Sequence, residues 1–445
     1  MFGSQYHFAI FFFLLCQVHS ILHEWGPTDK LRLRDGGDPN DFFGTAVDVA
    51  GNTLAASAIG DTDRGTDAGA VYIFTKGSRR KWSLQQKLVP DDGPLENYVN
   101  DGFGTSVSLL PDLLAVGSPR RGVTIGDSPG AVYIYRRSNG VWNLEQIITG
   151  AESVHNDLFG NAVKFIDEAT LLVGSPVFPG LNKAGSIYMF EADLNGQFQQ
   201  TSRIEGSEAK GNDYFGCSLD SDESRVIVGA YGDEGKGSAY IFDFVAGALV
   251  ENTRVEPEFG LEGDEFGYSV AIGPKVAAVG SRSDDDNFIG NGAGSVFVYE
   301  LDETTSSWEL FQKITRTNPL SRITGRAATG LFGESLAFDQ GYLVVGAPGW
   351  DGVAFVNGGR IFVYKKRSRS GKWRTADIVT SCGEIPEEDN FGTTVALDMT
   401  TGTLITGSIE GGRRTEDGSP GTVIIFERRV TGILPLQKAR CWLNL

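Results

Sequence analysis

Asp101-Gly-Phe-Gly-Thr-Ser-Val-Ser-Leu-Leu-Pro-Asp-Leu-Leu-Ala-Val-Gly-Ser-Pro119 contains, in nineteen residues, an acid, a Phe-Gly pair, an alternating stretch, a turn and an apolar run ending in glycine. The same order returns along the chain. Phe-Gly pairs stand at Phe43-Gly44, Phe103-Gly104, Phe159-Gly160, Phe215-Gly216, Phe266-Gly267, Phe332-Gly333 and Phe391-Gly392, at intervals of 60, 56, 56, 51, 66 and 59. An Asp lies two residues before the Phe in six of them, at Asp41, Asp101, Asp157, Asp213, Asp264 and Asp389; the sixth repeat has Gly330 there. Seven pairs in one phase define a repeat.

Each repeat reads as four short strands. Strand A alternates after Phe-Gly (Thr105–Leu109, Tyr268–Ile272), and strand B is an apolar run (Leu113–Gly117, Val276–Gly280). Strand C follows a long polar loop and alternates small, aliphatic and aromatic residues (Ala70–Phe74, Ala131–Tyr135). Strand D sets a bulky residue six positions before an aliphatic one, as in Trp82/Leu88, Trp142/Ile148 and Trp308/Ile314. Such alternation fits strands with one face in and one out, and no window sustains a helical period. A lone four-stranded sheet leaves both faces and edges unsatisfied, and copies stacked around an axis bury the faces. The expected fold is all-β, a seven-bladed β-propeller of four-stranded antiparallel blades. The blades fall near 41–91, 101–151, 157–207, 213–258, 264–317, 330–382 and 389–440. Trp25…Leu31 and, more weakly, Ile433…Ala439 also carry the D pattern, making eight D strands for seven blades. The favoured closing strand lies within 24–34, latching the last blade. The repeated Phe should pack at blade junctions, the Gly allow close approach or positive φ, and the Asp accept amide hydrogen bonds.

The chain has 445 residues, 39 Lys+Arg against 57 Asp+Glu and a net charge of −18, which disfavours nucleic acid and anionic membrane surfaces. Its 59 glycines suit many tight turns between short strands. Phe8–Val18 has the length of a signal-peptide apolar core, giving a leader over 1–20 and a secreted, extracellular product; a buried N-terminal strand is the competing reading. No later segment has membrane-spanning length. Beyond Cys16 lie Cys217, Cys382 and Cys441: Cys217 reads as a small buried hydrophobe, and whether Cys382 and Cys441 pair stays open.

Phe-Gly followed by a B strand ending Gly117-Ser118-Pro119, Gly174-Ser175-Pro176 or Gly346-Ala347-Pro348 resembles the FG-GAP repeat of integrin α-subunit N-terminal propellers, and the phrases Trp82-Ser-Leu-Gln-Gln-Lys-Leu88 and Gly69-Ala-Val-Tyr-Ile-Phe74 resemble its secreted, non-integrin branch. The triplet degrades at Ala56-Ser57-Ala58, Gly229-Ala230-Tyr231, Gly280-Ser281-Arg282 and Gly407-Ser408-Ile409. The resemblance implies an adhesion or recognition module. Calcium-binding members carry alternating Asp loops between strands A and B, whereas those turns here are short, such as Pro111-Asp112 and Gly273-Pro274. No cofactor is required. The remaining places for calcium are B–C loops with Asp61, Asp63 and Asp67, and with Asp284, Asp285 and Asp286; a solvated acidic loop is the competing reading for each.

Antiparallel order puts the long B–C and D–A loops on one face, where binding residues usually lie. The candidate ligand contacts are Arg120, Arg121, Tyr231, Asp233, Trp350, Asp351, Arg413 and Arg414, with Asp284 and Asp285 beside them. Trp350 is expected on an exposed loop, with packing against that loop as the alternative. Beyond the leader only His23 and His155 remain, which weakens His-dependent catalysis. No catalytic residue is assigned. The expected function is an extracellular, non-enzymatic module for a protein or glycan ligand. A carboxylate-pair glycoside hydrolase or lyase and a structural matrix or wall protein are the alternatives.

Overall fold

A computed structural model describes residues 24–33, 37–38, 40–91, 100–122, 129–177, 180–285, 292–315, 330–350, 358–368, 370–379, 390–409 and 420–428. The chain forms seven four-stranded antiparallel sheets arranged as a seven-bladed β-propeller. Strand β1 (Trp25–Leu31) precedes the first complete blade, which holds β2 (Phe43–Ala50), β3 (Thr53–Ala58), β4 (Ala70–Lys76) and β5 (Trp82–Leu88). Blade two holds β6 (Ser106–Leu109), β7 (Leu113–Ser118), β8 (Ala131–Ser138) and β9 (Val141–Ile148). Blade three holds β10 (Ala162–Phe165), β11 (Thr170–Ser175), β12 (Ser186–Ala192) and β13 (Phe198–Ile204). Blade four holds β14 (Leu219–Ser221), β15 (Arg225–Ala230), β16 (Ser238–Val245) and β17 (Ala248–Val255), with a 3-10 turn at Asp233–Gly235. Blade five holds β18 (Phe266–Gly273), β19 (Val276–Ser281), β20 (Ser295–Asp302) and β21 (Ser307–Thr315). Blade six holds β22 (Leu336–Asp339), β23 (Tyr342–Ala347), β24 (Arg360–Lys366) and β25 (Trp373–Val379). Blade seven holds β26 (Thr394–Asp398), β27 (Thr403–Ser408), β28 (Thr422–Arg428) and, as its outer strand, β1.

β1 runs antiparallel to β28, with Trp25 opposite Arg428 and Leu31 opposite Val423, so the first strand of the chain completes its last sheet. Ile433–Ala439, Cys382 and Cys441 lie outside the described residues. The register also aligns Ser57, not Ala56, with Gly117, because Ala56 faces Val47 just as Val116 faces Val107.

The core is a set of layers between blades. One layer joins Ala396, Ile405, Val423 and Ile425 of blade seven to Phe43, Leu54 and Tyr72 of blade one. The middle strands touch two such layers, and that is why β3, β7, β11 and β27 are buried at every position and read as apolar runs.

The outer strands behave differently from a simple in-and-out alternation. Two residues six apart on a regular strand share a face. Yet Trp82 packs toward blade seven while Leu88 packs toward blade two. The cause is a β-bulge: Trp82 opposes Lys76 and Leu88 opposes Val71, so six steps on β5 match five on β4. The extra residue flips the face. The same register shift occurs in β9, β13, β17, β21 and β25, and in β1 between Pro27 and Asp29.

All seven phenylalanines of the Phe-Gly pairs are fully buried. Each meets an aromatic ring of its own C strand, as Phe103 meets Tyr133 edge-on at 5.1 Å. Each also closes a junction. Phe159 N–H donates to Pro129 O at 3.0 Å, and its carbonyl sits where Gly130 (φ +92°) would carry a Cβ, only 2.1 Å away. Gly421 meets Phe43 in the same way, so the junction between the last and first blades repeats the other six.

Candidate binding face

The acids two residues before Phe-Gly shape the D–A loops. Asp41, Asp157 and Asp264 accept the N–H of Asp38 (2.9 Å), Val154 (2.9 Å) and Leu261 (2.7 Å), and Asp213 accepts that of Lys210. Burial pushes the Asp41 carboxyl up to about 6. Asp213 and Asp264 are raised by the same cause.

The acidic B–C loops are organised around cations of strand D. Lys87 Nζ lies 2.6 Å from both Asp61 Oδ2 and Asp63 Oδ2, and Tyr72 OH donates to Asp61 at 2.8 Å. Burial works against the Lys87 charge, but its hydrogen bonds to Asp61 and Asp63 outweigh it and raise its pKa. Lys313 pairs with Asp284 at 2.7 Å, and Arg254 with Asp233 at 2.8 Å. Asp67 adopts positive φ and does not share the lysine, and Asp285 accepts the N–H of Gly292. Among the described residues, no three His, Cys, Asp or Glu side chains are grouped to hold a metal. Asp286 lies outside those residues.

The predicted contacts separate in space. Arg120 is exposed. Arg121 turns inward, its Nε donating to Tyr133 OH at 3.1 Å. Trp350 corrects the expectation of an exposed ring: it is 3% exposed, packed edge-on against Phe362 at 5.1 Å, with Arg360 5.8 Å from its centroid. Its apolar area is satisfied within its own blade. Asp351, Arg413 and Arg414 lie outside the described residues.

Tyr231 belongs to a group that sequence reading did not assemble. The A strands form the inner ring, and their first residues meet the ends of the B strands at the mouth of the axis on the loop-rich face. There Tyr231 stacks on Tyr214 (4.8 Å, 30°) and leans on Tyr268 (5.7 Å). The Arg282 guanidinium lies 3.4 Å from the centre of the Tyr268 ring. It also pairs with Glu265 at 2.5 Å and Glu334 at 3.1 Å, while Ser283 Oγ donates to Glu265 at 2.9 Å. All of these side chains are half-buried. Burial pushes the Tyr231 hydroxyl up to about 12 and the neighbouring Cys217 thiol up to about 11, so both stay protonated. Burial also raises Glu334, against the pull of Arg282. The result is an aromatic and ion-paired sector over blades four to six, suited to stacking and hydrogen bonding of a ligand.

A second charged group lies deeper on the inner ring. Lys164 pairs with Asp220 at 2.7 Å, and Asp48 accepts Leu109 N–H at 2.7 Å. Asp220, Asp339 and Asp398 accept the N–H of Ile272, Met399 and Gly51 in the next blades, so these carboxylates stitch neighbouring blades together.

The FG-GAP repeat family profile matches residues 25–74, 82–135, 198–242 and 251–299. Integrin alpha-6 of Gallus gallus is 24% identical over 196 residues, 40% of this chain and 17% of its own length. Integrin alpha-2 of Bos taurus is 26% identical over 140 residues, 28% of this chain and 12% of its own length. The chain thus spans under a fifth of the integrins it matches. A crystal structure of a protein from Lactobacillus plantarum superposes with a TM-score of 0.51 at 12% identity, covering 80% of this chain and 88% of that one. The chain is a seven-bladed β-propeller that matches the FG-GAP repeat over just under half of its length and is similar in sequence to the integrin α-subunits.

Proposed function

We propose that the protein is an extracellular, non-catalytic recognition module that presents its loop-rich face to a protein or glycan ligand. One observation carries this reading. A scaffold of seven like blades places three tyrosines, an arginine and two glutamates at one side of its axial mouth, and among the described residues the other blades carry nothing comparable there. Half-buried aromatics with paired charges are the composition of interface hot spots rather than of a solvated surface. Similarity to integrins and the apolar segment Phe8–Val18 support an extracellular setting. No helix among the described residues is long and apolar enough to cross a membrane.

The test is a screen of the purified chain against immobilised glycans and extracellular proteins, with and without calcium. Tyr231→Ala and Arg282→Ala should abolish the hits while leaving the far-ultraviolet spectrum unchanged. Polysaccharide turnover lost in Glu265→Gln or Glu334→Gln would assign hydrolysis instead.

A further inference from the structure

The loop from Glu256 to Asp264 joins β17 to β18 on the loop-rich face and is firmly seated. Gly263 N–H donates to Gly235 O at 2.8 Å, Leu261 N–H to Asp264 at 2.7 Å, and Gly260 packs against Pro257 and Lys236. Yet this anchored loop holds Phe259 86% exposed and Leu261 51% exposed. A fixed backbone that displays a phenylalanine leaves apolar area for something outside the fold.

Five exposed glutamates lie on or against this loop: Glu256, Glu258 and Glu262 within it, and Glu208 and Glu234 linked to it through Arg254 and Lys236, while Asp233 is buried. Three cations answer them. Arg254 reaches Asp233 (2.8 Å), Glu256 (3.2 Å) and Glu208 (3.6 Å). Lys236 reaches Glu256 (3.1 Å), and Lys210 reaches Glu234 (3.6 Å). The surplus is negative, and all the glutamates are exposed.

We infer that this patch docks a basic, extended segment of a partner protein whose large apolar side chains cover Phe259 and Leu261. Lysines or arginines on that segment would take the surplus carboxylates. A second copy of the chain, at net charge −18, or an anionic membrane would meet repulsion here. The inference rests on the loop-rich face being the binding face, and it names the chemistry of one partner.

Fluorescence anisotropy of the full chain with a labelled peptide alternating lysine and leucine tests it, with lysine–serine and glutamate–leucine peptides alongside. The lysine–leucine peptide should bind best, and more weakly as salt rises. Joint Phe259→Ser and Leu261→Ser changes should weaken it about tenfold or more without lowering the melting temperature. Glu258→Gln with Glu262→Gln should weaken it and flatten the salt dependence. Glu168→Gln with Glu223→Gln, exposed on the opposite face, should change nothing. Absence of binding, indifference to the Phe259 and Leu261 changes, or equal loss in the opposite-face variant would overturn the inference. Binding lost in Tyr231→Ala but indifferent to Phe259→Ser would overturn it and leave the recognition reading standing.

Discussion

Replacing Gln86 with alanine should loosen one blade junction by a computable amount. Its amide reads the edge of the neighbouring outer strand twice: Oε1 accepts Trp142 N–H at 2.9 Å, and Nε2 donates to Trp142 O at 2.8 Å. Gln146 does the same to Phe198, and Gln312 to Trp373. Asp377 and Asp29 accept the N–H of Trp25 and Trp82. Blade four alone lacks the clamp on both sides. Ser202 stands at the clamp position of β13 with a buried Oγ that has no partner among the described residues, and Thr253 turns its hydroxyl onto its own strand. Two partly buried backbone groups left unpaired cost roughly 2–4 kcal/mol together. An unfolding entropy of about 2.1 cal/mol/K per residue over 445 residues makes that a melting shift of about 2–4 °C. Gln86→Ala should therefore melt lower by that much in scanning calorimetry, with faster amide exchange at Trp142. Ser202→Gln, which supplies the missing clamp to Leu249, should melt higher. A Gln86→Ala protein indistinguishable from wild type, or a Ser202→Gln protein that melts lower, refutes the clamp.

Three further outcomes follow from the geometry. Gly130→Ala forces a Cβ within 2.1 Å of the Phe159 carbonyl and should prevent soluble folding, whereas Gly140→Ala, also at positive φ but with open space, should cost only about 1–2 kcal/mol in urea unfolding. Asp41, raised by burial from 3.8 to about 6, favours the fold fully below pH 3.8 and loses that contribution as pH rises through 6. Asp41→Asn keeps an acceptor for Asp38 N–H, so its melting temperature should exceed wild type above pH 6, with the gap closing toward pH 4. Lys87→Met strands the buried Asp61 carboxylate and should destabilise by about 3–5 kcal/mol. Adding Asp61→Asn should restore most of that, and chelator should leave the wild-type melting temperature unchanged if Lys87 is the cation serving this loop.

The fold was legible because its physical requirements repeat. A buried Phe whose carbonyl abuts a neighbouring glycine admits little substitution, so the pair recurs in every blade and sets the phase. The bulge was hidden because a bulky residue and an aliphatic one six apart read naturally as one face, and only the pairing of Trp82 with Lys76 reveals the extra residue. Asp61, Asp233 and Asp284 looked like ligand carboxylates for a related reason. Each is answered by a cation five residues after the bulky D-strand position, at Lys87, Arg254 and Lys313. That spacing was present in the sequence, but the contact joins two segments about twenty to thirty residues apart across a sheet. Trp350 misled because a tryptophan beside glycines in a long loop looks displayed, while the ring folds back on Phe362.

The site was harder to see than the scaffold because it consists of departures from the repeat. Three positions per blade form the mouth: the residue before Phe-Gly, the one after it, and the one after the B strand. Blades one, two, three and seven fill the first with Phe42, Gly102, Leu158 and Asn390, and the second with Thr45, Thr105, Asn161 and Thr393. Their third positions hold Ile59, Pro119, Pro176 and Ile409. Blades four and five instead supply Tyr214, Cys217 and Tyr231, then Glu265, Tyr268 and Arg282, and blade six adds Glu334. Each of these is unremarkable within its own repeat, and their meaning appears only when one position is compared around the ring. The same sector borders the displayed Phe259 loop and the blade that lacks both outer clamps. The aromatic and ion-paired mouth, the surplus charge and the missing outer clamps thus coincide on one side of the propeller. Such a coincidence supports the proposed recognition reading, because departures from the repeat gather where a scaffold serves something other than its own packing.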